Sequence, residues 1–181
     1  MAESFLENQM LAALKALDSK LSRSVRLIVG GGGAIILTHL FPLATTDIDA
    51  VPGAGTTPEE LDPLIKEVAK ELGLPTDWLN PYYSTFTHVL PSDYGNRLIQ
   101  VAQYSRLCVL ALSKDDLLIM KCFAARMKDR AHSIALIRAG ADTRRVELHI
   151  ESLIRKKIPN AEKAMDFLDE VSEIAQEAGR E

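Results

Sequence analysis

Apolar residues recur at helical spacing from Ser4 to Leu21, where Phe5, Leu6, Met10, Leu11, Leu14 and Leu17 line one stripe. That stripe predicts an amphipathic helix. The pattern then tightens. Val25 to Val29 is short, β-branched and bounded by glycine, the signature of a buried strand. Gly30 to Gly33 form a turn, and Ala34 to Leu40 predict a short helix that Pro42 ends. Thr46 to Val51 predict a second strand, closed by Pro52 and Gly53. Thr57 suits a helix cap, with Pro58 at the first helical position and Glu60 three residues after the cap. That helix should run to about Leu72 and stop at Gly73.

Leu74 to Tyr83 holds prolines, Trp78 and two tyrosines, and suggests an irregular packed loop. Thr85 to Leu90, Arg97 to Ala102 and Leu107 to Leu112 are strand-like. Ser113 caps a helix reaching about Met127, and the chain beyond predicts helices over Arg130–Ala139, Thr143–Lys157 and Asn160–Ala178. The expected fold is α+β: a mixed sheet flanked by helices over residues 1–112, followed by a C-terminal helical bundle over residues 113–181.

Composition adds bounds. A chain of 181 residues, 47% hydrophobic and 25% charged, has enough length for one good core, or one core with a helical appendage. No apolar run approaches the roughly 20 residues of a membrane span, and acids stand where a secretion signal carries basic residues. A cytoplasmic protein without a membrane partner is expected. Cys108 and Cys122 lie in apolar surroundings without metal-like spacing, so both read as buried reduced thiols. From Lys114 to Lys157 there are eleven Lys/Arg against six Asp/Glu, whereas from Ile158 there are two against seven. A basic middle segment suits a polyanionic substrate, and also suits ordinary solvated helix faces.

The candidate chemistry lies in the four glycines and in Asp47-Ile48-Asp49 about one helix later. A P-loop needs Gly-Lys-Ser/Thr, but Ala34-Ile35 follows the glycines. A dinucleotide fingerprint needs a further glycine where Ile35 stands. A third arrangement fits: strand, glycine turn, helix, then a strand bearing Asp-x-Asp, as in nucleotidyltransferases of the DNA polymerase β type. Turn amides hold a triphosphate. Carboxylates at i and i+2 project from one strand face. They can bind Mg²⁺ or Mn²⁺, which neutralises phosphate and lowers the pKa of an attacking hydroxyl. Asp47 and Asp49 are thus the metal-ligating candidates, and Gly31 and Gly32 the nucleotide-binding ones.

Leu27-Ile28-Val29-Gly30-Gly31-Gly32-Gly33-Ala34 followed by Thr45-Thr46-Asp47-Ile48-Asp49 resembles the nucleotidyltransferase superfamily. More narrowly it is similar to bacterial nucleotidyltransferase-fold proteins related to the AbiEii toxin of abortive-infection, type IV toxin–antitoxin systems. Those relatives carry a later helix with Lys-x4-Arg-x2-Asp-x2-Asp, and Lys121, Arg126 and Asp129 fall at its offsets. The resemblance implies Lys121 as the lysine that contacts nucleotide or phosphate, a catalytic residue beside Asp47 and Asp49. It implies Arg126 and Asp129 as its companions at the nucleotide. On an unbroken helix Lys121, Ala125, Lys128 and His132 share a face. Asp129 leaves that stripe unless the helix breaks near Lys128, and its expected role is to orient Lys121 or Arg126 instead of touching metal.

The chain departs from the relatives in three ways. Leu43 or Ala44 stands where an arginine often precedes the dyad, and His132 replaces the last aspartate. No third carboxylate has an evident place, Gln100 and Asp93 being the nearest substitutes. Two functions therefore remain open. One is transfer of a nucleotidyl group from a nucleoside triphosphate to a hydroxyl on RNA, protein or a small molecule, including as a toxin neutralised by an antitoxin. The other is a catalytically degenerate module that binds nucleotide or docks a partner. Trp78, Tyr82 and Tyr83 suit core closure or base stacking. His39 and His88 read as satisfied core or loop residues, and His149 as solvated. The apolar face of the last helix suits internal packing, a homodimer or an antitoxin.

Overall fold

The structure, a computed structural model, describes residues 6–177. The predicted helix starts at Ser4 and Phe5, and the predicted last-helix end at Ala178, lie outside that range. The fold is α+β, with a five-stranded mixed sheet flanked by helices and a helical C-terminal region. The chain divides into two compact units. One runs to Thr85 and resumes over Leu98–Leu112; the other takes Phe86–Arg97 and everything from Ser113.

The first unit holds the sheet. Its strands are β1 (Val25–Val29), β2 (Ile48–Pro52), β3 (Leu79–Asn80), β4 (Ile99–Gln103) and β5 (Leu107–Ala111), in the order β3-β2-β1-β5-β4. β1 runs parallel to β5 and antiparallel to β2. Helix α1 (Glu7–Lys20) buries Met10, Ala13, Leu14 and Leu17, the stripe visible in the sequence. Helix α3 (Pro58–Leu72) begins with the expected capping box. Thr57 Oγ1 accepts from the Glu60 amide at 3.3 Å, and Glu60 accepts from the Thr57 amide at 3.0 Å. It ends on Gly73 at φ 65°, a left-handed cap that glycine takes without steric cost. Trp78 is fully buried and donates its indole N–H to the Ile65 carbonyl at 2.9 Å.

Four expectations change. Gly31 to Gly33 are not a turn but the first residues of helix α2 (Gly31–Leu37), which stops before Leu40. β2 starts at Ile48, so Asp47 sits in the bend before it. There Thr45 Oγ1 donates to the Asp47 carbonyl at 3.2 Å, a local bond that competes with strand pairing. Leu79–Asn80, expected within a loop, pairs with β2 as a short strand. Thr85 to Leu90 is not a strand, because Tyr82–Val89 winds in 3₁₀ turns. Thr85 bonds back to the Tyr82 carbonyl, and local satisfaction of this kind defeats a β-branched, aromatic composition that finds no partner strand.

In the second unit helices α4 (Lys114–Ala124), α5 (Met127–Arg138), α6 (Thr143–Arg155) and α7 (Ala161–Glu177) pack together. Ser113 caps α4 by accepting from the Asp116 amide at 3.2 Å. The apolar face of α7, including Ala164, Leu168 and Val171, is buried in this bundle, so internal packing uses it.

Candidate functional site

The dyad and the glycines meet at one corner of the first unit. Strand alternation buries Ile48 and Ala50 and turns Asp49 to the other face. Asp49 pairs in register with Asn80 on β3, so their side chains share that face. Asn80 Nδ2 donates to Asp47 Oδ2 at 2.9 Å, which brings the Asp47 carboxylate to the same side. The Asn80 amide is locked from its other end, where Oδ1 accepts from the Tyr82 amide at 3.0 Å. The two carboxylates therefore converge.

They also meet the glycines. A methyl group on Gly31 would overlap Asp49 Oδ2, and Gly31 holds φ 54°, a region that disfavours any side chain. One on Gly32 would come 3.1 Å from Thr45 Oγ1, the hydroxyl 3.4 Å from Asp47 Oδ1. Consecutive glycines thus lie bare beneath the two arms of the dyad. Gly30 serves packing: the Tyr83 ring lies on it, and the Tyr83 hydroxyl donates to the Ile28 carbonyl at 2.7 Å. Tyr83 and Trp78 are both buried as core, and only Tyr82 of the aromatic cluster is exposed.

Asp49 is the only acid in the five strands. Among the described residues no group of three or more His, Cys, Asp or Glu could hold a metal ion. Gln100 stands exposed on β4, three strand spacings of about 4.8 Å each from Asp49, too far to share an ion. Asp93, in the second unit, pairs with Arg97 at 2.9 Å. The donor set still fits Mg²⁺, which takes one or two carboxylates together with water and substrate phosphates and needs no all-protein cage. A cavity of about 320 Å³ lined by Leu27, Ala50, Leu61 and Ile65 opens on the sheet face away from Asp49, with Glu59 and Asp62 also in its wall. Its apolar and acidic lining does not suit a triphosphate.

The second unit holds the other predicted residues. Helix α4 ends at Ala125, which takes φ 44°, and α5 starts two residues later. On an unbroken helix Lys121 and Asp129 would stand about 12 Å apart along the axis. The break instead brings Lys121 Nζ to 2.7 Å from Asp129 Oδ1. Arg126 reaches the same carboxylate with its Nε at 2.7 Å and its amide at 3.1 Å. Asp129 is fully buried and Lys121 nearly so. Burial by itself would raise the Asp129 carboxyl, but hydrogen bonds from Arg126 and Lys121 outweigh it and hold the carboxyl below its ordinary value. Burial lowers Lys121, which shares its one counterion with Arg126. His132 Nδ1 and Ser133 Oγ are buried without a partner, and burial lowers the imidazole so that it stays neutral near pH 7.

Several side chains differ from expectation. Cys108 is half-buried, whereas Cys122 is buried as expected. His39 fits the loop alternative, an exposed turn residue 3.5 Å from Glu7. His149 is bonded to the Val89 carbonyl at 2.7 Å instead of being solvated. Thr45 and Asn80, the supports of the dyad, were not legible in advance. Asn80 reaches Asp47 from 33 positions away through a strand too short to leave a sequence pattern.

A glycine-floored corner carrying an Asp-x-Asp pair, on a mixed sheet flanked by helices, is the arrangement expected of a nucleotidyltransferase. Residues 8–176 match the family described as nucleotidyltransferase of unknown function (DUF6036), and the chain belongs to that family. No curated protein and no solved structure matches the chain significantly. No described helix is long and apolar enough to cross a membrane.

Proposed function

We propose that this chain transfers a nucleotidyl group from a nucleoside triphosphate to a hydroxyl acceptor in a Mg²⁺-dependent reaction. The observation that carries this reading is the Asp49 carboxylate seated on the Gly31 main chain, with Asp47 held beside it by Asn80. Asp47 and Asp49 would hold the ion, which when bound supplies charge neutralisation of the phosphates and acidification of the hydroxyl. The bare backbone at Gly31 and Gly32 gives the phosphates close approach. In the transfer the acceptor oxygen bonds to the α-phosphorus, the bond to pyrophosphate breaks, and the hydroxyl proton leaves to solvent. Positioning and charge compensation do most of this work. Lys121 and Arg126 both close on the carboxylate of Asp129 in the helical unit, and the resemblance to the nucleotidyltransferases makes Lys121 the residue offered to nucleotide or phosphate.

The test is transfer from α-labelled triphosphates with Mg²⁺ or Mn²⁺. Wild type should label an acceptor, and Asp49→Ala should lose that labelling while keeping its circular dichroism and melting curve. Equal labelling by the wild type and the Asp47→Ala/Asp49→Ala variant would overturn the assignment. Growth arrest of a bacterial host by the wild type but not by Asp49→Ala would support the toxin relation implied by the motifs.

One observation favours a second reading. The strands offer no acid besides Asp49, which suits a module that binds nucleotide without turning it over. Calorimetric binding of triphosphate with Mg²⁺, in the absence of any transfer product, would select that reading.

A further inference from the structure

At the opposite end of the sheet face that carries Asp49 lies a hollow of about 280 Å³ with three arginines in its wall, Arg23, Arg26 and Arg106. The register fixes the face. Val51 lies on the Asp49 side of β2 and opposes Ile28, and Arg26 lies two residues from Ile28 on the same side of β1. Arg26 aligns with Cys108 of β5, which also lines the hollow. From the Asp49 level of the sheet to the Arg26 level is four residues, about 13 Å along the strands. The hollow is therefore separate from the glycine corner.

Its chemistry is one-sided. The guanidinium groups of Arg26 and Arg106 have no hydrogen-bond or ion-pair partner among the described residues, in a chain of net charge −4. Arg23 pairs with Glu60 at 2.9 Å, but both side chains are half exposed, and such a pair holds weakly. Asp18, which meets Arg106 at its backbone, accepts from the amides of Arg106 and Leu107 at 2.6 and 2.7 Å. Ser24, Thr56 and Ser105 add hydroxyl donors to the wall. Gly53 makes the space: a methyl group there would come 3.2 Å from Arg26 Cβ, and its amide donates to the Arg26 carbonyl at 2.8 Å.

We propose that this hollow is an anion site that takes a phosphate group, held by the forked donors of Arg26 and Arg106 with Arg23 as a third arm. Guanidinium forks match phosphate oxygens two at a time, which an isolated ammonium does not. The phosphate comes either from the backbone of an RNA strand or from a small phosphorylated molecule. The site stands on its own residues and does not depend on the transfer reaction.

The experiment uses the full chain in EDTA, which withholds the divalent ion that phosphate binding at the glycine corner requires, and two probes: pyrophosphate followed by calorimetry, and a fluorescent ten-nucleotide RNA followed by anisotropy over a salt series. Arg26→Ala/Arg106→Ala should weaken whichever probe binds by at least tenfold. RNA as the source adds a salt dependence whose slope falls by about 1.4 in the variant, two phosphate contacts being lost. Pyrophosphate binding alone identifies a small phosphorylated ligand. Maleimide modification of Cys108 should slow when either probe is bound. Arg26→Lys/Arg106→Lys guards against a folding defect and should restore only part of the affinity. Asp49→Asn should leave binding at this hollow unchanged, so loss of transfer and loss of anion binding are read separately. Absence of binding by the wild type to both probes at millimolar concentration, or equal binding by wild type and the double alanine variant, would overturn the proposal.

Discussion

The Asp49 carboxylate rests directly on the Cα of Gly31, where no side chain fits. One arm of the acidic pair and the floor of the phosphate corner are therefore a single packing unit. Moving either moves the other.

Gly31→Ala should cost about 1 kcal/mol for the left-handed backbone and should also displace Asp49. Transfer should fall roughly 100-fold, the order expected for an ångström-scale misplacement of reacting groups. Gly73→Ala is the matched control, since φ is 65° there and nothing lies within 4 Å of the added methyl group. It should show the backbone cost alone in urea denaturation, with transfer unchanged. Equal transfer rates for both variants would separate the glycine corner from the chemistry.

Asp129 pairs with both Lys121 and Arg126, so Asp129→Asn should cost roughly 3 kcal/mol at pH 7, in the range for breaking a buried ion pair. Its carboxyl is held below its ordinary value by Arg126 and Lys121, against the opposing effect of burial. A carboxyl depressed in the folded state contributes stability above its unfolded pKa, near about 4. That contribution is lost as pH falls through the lower folded value. Urea denaturation across pH 2.5–7 should show a steep acid limb in the wild type that is flatter in Asp129→Asn, the two curves approaching each other at the acid end.

Ala125 takes φ 44° so that the chain can fold Asp129 back onto Lys121. Glycine at this position should relieve about 1 kcal/mol of backbone strain, partly offset by the greater freedom of the unfolded chain. Ala125→Gly should thus melt at or above the wild-type temperature, whereas Ala125→Val should melt well below it. Calorimetry on the three proteins decides this.

The two thiols should differ in access. Cys122 is buried, and burial pushes its thiol up, with the nearby Asp129 charge adding to it. Cys108 is half-buried beside Arg26. Maleimide followed by mass spectrometry should add one label to the native protein, at Cys108, and a second only in denaturant.

The sequence alone determined the elements whose signals are local. Thr57, Pro58 and Glu60 specify the start of α3, and Gly73 specifies its end, because cap chemistry is settled within a few residues. The α1 stripe and the β1 strand likewise follow from periodicity and β-branching. The Asp-x-Asp pair beside the glycines was visible for the same reason. Tertiary structure decided what depends on partners distant in the chain. Asn80 clamps Asp47 through a two-residue strand, and Tyr82–Val89 coils despite a strand-like composition because no neighbouring strand takes it up. Helix α4 breaks at Ala125, and Asp129 then closes on both Lys121 and Arg126, a contact that linear helical spacing rules out. The arginine hollow is the extreme case: residues 23, 26 and 106 become neighbours only because β1 and β5 lie side by side. Backbone propensity acts over a few residues, whereas charge pairing and strand pairing act across space.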